Sequence, residues 1–255
     1  MITPDSTLKD ASTAIQEGRF EEAFPLVSSV FGEIASGEPQ AAPLYPVTMY
    51  LWKQLVGVYP PARETLAIVR AYHADLLLSG ATEFCAGGNT ARIPRFQLLV
   101  EIDQILNNRR GTHALFKQLM VASPHQASLE AYLALPAILE VGDYVLADRY
   151  LGDPLVRLEE LNGMSVLYPL FPPAGKPPRL AAELANFIKD VLMRAAVLRG
   201  LGRPAEADAV LKKVRNGIVA REMRELAERE LAAPGTIIEE LAARQDRQHA
   251  QGAPG

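Results

Sequence analysis

Ala195-Ala196-Val197-Leu198-Arg199-Gly200-Leu201-Gly202-Arg203-Pro204-Ala205-Glu206-Ala207 runs from one apolar, helix-periodic segment through a glycine turn into a second. Gly202 stands just past the first segment, where a residue in the left-handed conformation ends a helix, and Ala207 is small enough for the second helix to lie close against the first. The same local pattern returns in Gly18-Arg19-Phe20-Glu21-Glu22-Ala23 and in Gly142-Asp143-Tyr144-Val145-Leu146-Ala147. Each predicts the tight turn of a helical hairpin. Together they predict an all-α chain of antiparallel helical hairpins stacked on one another.

The rest of the chain agrees with that period. In residues 61–79, Leu66, Val69, Tyr72, Leu76 and Leu77 fall on one side of a helix and Arg63, Glu64, Arg70 and Asp75 largely on the other. Similar spacing predicts helices over 6–17, 21–35, 48–58, 95–108, 113–122, 125–141, 143–151, 180–200, 204–215, 217–232 and 235–248. Strand alternation is nearly absent, and the separators are short and rich in Gly, Pro and Asn. Two stretches, 38–46 and 167–178, are too proline-dense for helix interiors and predict long extended loops. The second carries Tyr168 and Phe171, which suits either a segment offered to a partner or an apolar loop packed on the protein's own helices. The expected organisation is one helical-repeat domain over 1–255: an N-terminal array (1–166), a proline-rich loop (167–179) and C-terminal hairpins (180–250).

Composition narrows the functional classes. With 255 residues, 49% of them hydrophobic, the chain can bury a sizeable core without a disulfide or metal. A net charge of -4 argues against broad binding to nucleic acid or to an anionic membrane surface. The acidic excess lies mainly in 1–178, while 179–255 is slightly basic. Cys85 is the single cysteine, so zinc sites built from several thiolates are excluded and a reducing compartment is expected. The first ten residues lack the basic and apolar regions of a secretory signal, and no run reaches the roughly 20 apolar residues of a membrane span, so a cytoplasmic location without membrane insertion is expected.

The turn-centred units resemble the tetratricopeptide repeat. In 188–214, Ala195 and Leu198 stand where the family places small and large packing residues, Gly202 at the turn, and Ala207 and Leu211 in the second helix. Residues 7–35 resemble it through Ala11, Ala14, Gly18, Phe20, Ala23 and Val27, and the unit around Gly142 through Leu135, Ile138, Tyr144, Ala147 and Leu151. The resemblance implies a superhelix whose concave surface, lined by the first helix of each hairpin, holds a peptide or helix from another protein. On the matched C-terminal unit it places Lys189 and Arg199 among the inward-facing side chains, where they suit an acidic peptide or chain terminus. A second basic group, Arg92, Arg95, Arg109 and Arg110, flanks the predicted 95–108 helix. Such a helix spans about 20 Å, so its two ends cannot form one pocket alone, and Arg109 and Arg110 suit a helix carboxyl end electrostatically.

Enzyme-like features are weak. Cys85 before Gly87-Gly88 becomes a nucleophile only with a base such as His73 or His113 beside it, and nothing local supplies one. His73-Ala74-Asp75, His113 and His125 lack metal-ligand spacing, and Glu101-Ile102-Asp103 points its carboxylates apart on a helix. The charge-alternating segment 220–231 suits a solvated, capping helix, and Gln245 to Gly255 is expected to fray. These readings favour a non-enzymatic module with no cofactor and no metal that binds a peptide or partner protein through Lys189, Arg199, Arg109 and Arg110. The alternatives are a helical enzyme assembled around Cys85 and His73, and a structural subunit that associates with copies of itself.

Overall fold

The computed structural model describes residues 3–84, 93–173 and 175–252; Cys85 and Arg92 lie outside them, as does the expectation of a site around Cys85. Among the described residues the chain is all-α but for one short antiparallel ribbon. Its helices are α1 (Pro4–Gln16), α2 (Phe20–Ala35), α3 (Tyr45–Val58), α4 (Pro60–Leu78), α5 (Arg95–Leu106), α6 (Arg109–Ala122) and α7 (Pro124–Glu140). They continue with α8 (Tyr144–Tyr150), α9 (Leu158–Leu167), α10 (Arg179–Gly200), α11 (Pro204–Gly217), α12 (Arg221–Ala232) and α13 (Thr236–Gly252). The ribbon pairs β1 (Glu83–Phe84) with β2 (Ile93–Pro94), Glu83 opposite Pro94 and Phe84 opposite Ile93. No described helix is long and apolar enough to cross a membrane.

The chain divides into two compact units, Met1–Val141 and Gly142–Gly255, and the proline-rich stretch 167–179 lies inside the second. In the first unit α1 packs on α2, α3 on α4, and α6 on α7, while α2 meets α3 and α4 meets α5. The odd-numbered helices also touch one another in order, α1 with α3, α3 with α5 and α5 with α7, and α4 touches α6. Consecutive helices thus pack on one another, and the odd-numbered helices, with α4 and α6, also pack on the next but one, as in two layers of helices. Its core runs through Leu8, Val27, Phe31, Trp52, Leu55, Leu66, Phe84, Leu98 and Ile102. In the second unit α10 is central and packs on α8, α9, α11, α12 and α13.

The glycine turns at two of the three repeated patterns close hairpins by the same hydrogen bonds. After α1, Gly18 has φ 75°, its N–H donates to Ile15 O (3.1 Å) and Arg19 N–H donates to Ala14 O (2.8 Å). After α10, Gly202 has φ 75°, its N–H donates to Arg199 O (3.0 Å) and Arg203 N–H donates to Leu198 O (2.8 Å). This paired bonding satisfies carbonyls that the helix end would leave open, and the left-handed backbone is why glycine sits there. Both turns carry an arginine that pairs with a glutamate three residues on, Arg19 with Glu22 and Arg203 with Glu206. Ala11, Ala14, Ala23 and Val27 are buried between α1 and α2, and Ala195, Leu198 and Ala207 between α10 and α11. The turn at Gly142 differs: the residues before it belong to the first unit and α8 to the second, where α8 packs on α10.

Several expectations are corrected. The stretch 38–46 is not an extended loop, because Ala42–Leu44 forms a 3-10 turn and α3 begins at Tyr45, with Pro43 and Pro46 in first-turn positions that proline tolerates. Helix α9 was not expected; its Gly163 and weak amphipathicity hide it. The segment 217–232 is broken at 218–220, and α13 runs from Thr236 to Gly252, past the expected end at 248. On α4, Tyr72 is 61% exposed and His73 takes the inward position. The loop after α9 packs on its own unit: Leu170 is buried in the second core and Phe171 lies partly against it.

Candidate functional site

The residues singled out from sequence are separated by the fold. Arg109 and Arg110 open α6 rather than closing α5, because Asn107 adopts a left-handed conformation (φ 57°) that ends α5 and Asn108 caps α6 through Gly111 N–H (3.1 Å). Arg109 pairs with Glu140 at 3.0 Å, while Arg110 is exposed and makes no ion pair among the described residues. On α10, Arg199 pairs with Asp208 at 3.0 Å across the hairpin, both side chains being well exposed. Lys189 is exposed and has no ion-pair partner among the described residues. Lys189 lies on an open stripe of α10 with Ala182, Asn186 and Ala196, whereas Glu183 and Asp190 are held by Arg157 at 2.9 and 3.0 Å. Burial raises the Asp190 carboxyl above its ordinary range, against the lowering effect of Arg157 and Lys189.

His73 is a core residue. It is 5% exposed and its ring meets Phe31, Tyr72 and Phe84 edge-on. Its Nδ1 faces the guanidinium of Arg95, which also donates from Nε to Ala81 O (2.7 Å) and from Nη2 to Glu83 O (2.5 Å). Arg95 therefore ties the start of α5 to the chain leaving α4. Burial, and then the charge of Arg95, lower the His73 imidazole from 6.5 to about 4. A neutral imidazole accepting from a guanidinium is a packing and clamping group, and His125 is exposed on α7. No group of three or more potential metal ligands occurs among the described residues.

The carboxylates of Glu101 and Asp103 point apart, as their spacing on α5 predicts. Asp103 is fully buried and accepts from Arg70 Nε and Nη2 (2.9 and 3.0 Å), Asn108 Nδ2 (2.9 Å) and Thr112 Oγ1 (3.0 Å). That network joins α4, α5 and α6 and has no free acceptor for a ligand. Glu101 instead opens into a groove between α3 and α5, of about 200 Å³, lined by Met49, Tyr50, Lys53, Glu101, Gln104 and Ile105. Its Oε2 accepts from Tyr45 Oη (2.6 Å) and its Oε1 from Gln97 Nε2 (2.9 Å). Tyr45 is 6% exposed, and burial, reinforced by the Glu101 charge, raises its phenol well above the ordinary value, so it stays a donor. Tyr50, by contrast, is 61% exposed.

Helix α5 shows why this groove exists. It is packed by α3, α4, α6 and α7, and leaves only Gln97, Glu101, Gln104 and Ile105 at least partly open on one stripe. Sequence reasoning passed over the groove because Tyr45 and Glu101 lie 56 residues apart. The available signal was a polar stripe at i, i+4 and i+7 on an otherwise apolar helix. Compared with protein-family models, curated proteins and solved structures, the chain gives no significant match.

Proposed function

We propose that this chain is a non-enzymatic protein-interaction module of tetratricopeptide-like hairpins that binds a peptide or partner protein. The observation that carries the reading is the α3/α5 groove. It lies between α3 and α5 and presents Tyr50, Lys53, Glu101 and Gln104 from helices fixed by a packed core. Rigid helices carrying an exposed aromatic and fixed polar groups suit recognition without large rearrangement. The described residues lining the groove include no serine, threonine, cysteine or histidine, the side chains of the common nucleophile–base pairs of acyl transfer. Lys189 and Arg110 remain secondary contacts in this proposal, since their cations are unpaired within the described structure. Arg199 and Arg109 are engaged by Asp208 and Glu140, exposed pairs worth little enough to exchange for a partner's carboxylate.

The test is photocrosslinking in cells of the source organism, with a photoreactive residue at Gln104 and, as control, at Lys212 on α11. The proposal expects one protein crosslinked through position 104 and not through 212. Its absence, or equal yield at both positions, overturns the proposal.

A second reading, a subunit that associates with copies of itself, draws on Val166, Leu167 and Val219 in the second unit. These are 85%, 73% and 72% exposed, and Asn162 brings 166 and 219 near one another by bonding Gly217 O (2.8 Å) and Val219 N–H (3.0 Å). Sedimentation that shows a monomer at high concentration removes it.

A further inference from the structure

The groove in the first unit holds two opposite charges that do not neutralise each other. Glu101 has both oxygens fixed, but by neutral donors, Tyr45 and Gln97. No cationic side chain lies within ion-pair reach of it among the described residues, although Lys53 lines the same groove. Lys53 is exposed and likewise has no ion-pair partner among the described residues. A carboxylate has about four lone-pair positions, so Glu101 keeps acceptor capacity after the two bonds. Its rotamer is already set, so a cation arriving there meets a prepared acceptor. Met49 and Ile105 supply apolar wall, and the exposed Tyr50 ring offers a face to a cation.

Size and charge restrict the occupant. About 200 Å³ admits one or two side chains of a segment lying along the groove. A purely basic segment meets Lys53 with like charge, and a purely acidic one meets Glu101 with like charge. An alternation of signs satisfies both. We propose that the α3/α5 groove binds a partner segment in which a lysine or arginine stands close in sequence to an aspartate or glutamate, with the cation on Glu101 and the anion on Lys53. This inference rests on the binding reading above and adds the chemistry of the ligand. Charge-assisted bonds in a partly closed groove are stronger than the same pairs on an open surface, and the two signs together fix the direction in which the segment lies.

Three acetylated, amidated pentapeptides test it: Ala-Arg-Ala-Asp-Ala, Ala-Arg-Ala-Arg-Ala and Ala-Asp-Ala-Asp-Ala, titrated into the full chain with backbone amide NMR as readout. The mixed-charge peptide is expected to shift the amides of Tyr50, Lys53, Glu101 and Gln104 saturably, and to bind roughly two- to fivefold more tightly than either single-sign peptide, which is the worth of one exposed ion pair. Glu101→Gln is expected to remove the preference over the acidic peptide, and Lys53→Glu, separately, the preference over the basic one. Trp52 fluorescence confirms that the variants are folded, and Lys53→Glu, at an exposed position, keeps the test open if Glu101→Gln is not. No shifts, equal binding of a single-sign peptide, or a preference unchanged in the variants overturns the inference. A partner crosslinked through position 104 alongside a failed titration removes only the ligand chemistry; failure of both removes the binding reading as well.

Discussion

Acidification should destabilise the first unit through His73. The folded imidazole is held at about 4 by burial and by Arg95, against 6.5 when free. Between those values the unfolded chain binds a proton that the folded chain refuses. Stability from this group is therefore complete above about pH 6.5, falls as the pH drops towards 4, and is lost no further below that. At about 1.4 kcal/mol per pH unit the gap amounts to at most about 3 kcal/mol. Other groups also titrate near pH 4, so the measurement is a difference between wild type and His73→Gln, whose amide oxygen can accept from Arg95 but does not titrate. Trp52 is the only tryptophan, is buried, and packs edge-on against Phe31, which also meets His73, so its fluorescence reports this unit. Urea unfolding at steps from pH 7.5 to 4 should show the variant less stable at neutral pH and the difference shrinking by up to about 3 kcal/mol on acidification. A difference that stays constant across that range refutes the account of His73 as a buried, neutral acceptor.

Three further outcomes follow from particular contacts. Asp103→Ala leaves the guanidinium of Arg70 and the hydroxyl of Thr112 without their acceptor, and should cost about 3–5 kcal/mol in the same fluorescence-detected unfolding. In the second unit a methyl group at Gly200 would meet the Tyr144 ring at 2.3 Å, so Gly200→Ala should lower stability by about 1–3 kcal/mol by circular dichroism. Gly163, exposed within α9 and with nothing within 4 Å of an added methyl, should behave oppositely, Gly163→Ala raising stability by about 0.5–1 kcal/mol.

Much of the helical architecture is legible because it is local. Glycine turns at 18 and 202 announce themselves by residue type, and the periodicity around Leu66, Leu198 and Val191 marks which faces meet the core. Where local signals mislead, a tertiary partner has overridden them. Tyr72 reads as inward from its spacing, but His73 is turned into the core because Arg95, brought in by α5, supplies its partner. Arg109 and Arg110 read as the close of one helix because nothing in Asn107-Asn108 says which asparagine ends α5 and which caps α6. Glu101 looks ordinary until Tyr45 approaches from α3, and Asp103 until Arg70 arrives from 33 residues away. The groove is a property of packed helices, and sequence carries it only as the polar stripe on α5.

The binding claim is tested most directly by the affinity of the partner recovered through position 104, measured by isothermal titration against wild type and a Tyr50→Ser/Gln104→Arg double variant whose Trp52 fluorescence and melting temperature match wild type. Truncating an exposed aromatic and placing a bulky cation in the groove should weaken binding by at least about tenfold. Unchanged affinity in a folded variant would contradict the account and move the partner's site away from α3 and α5.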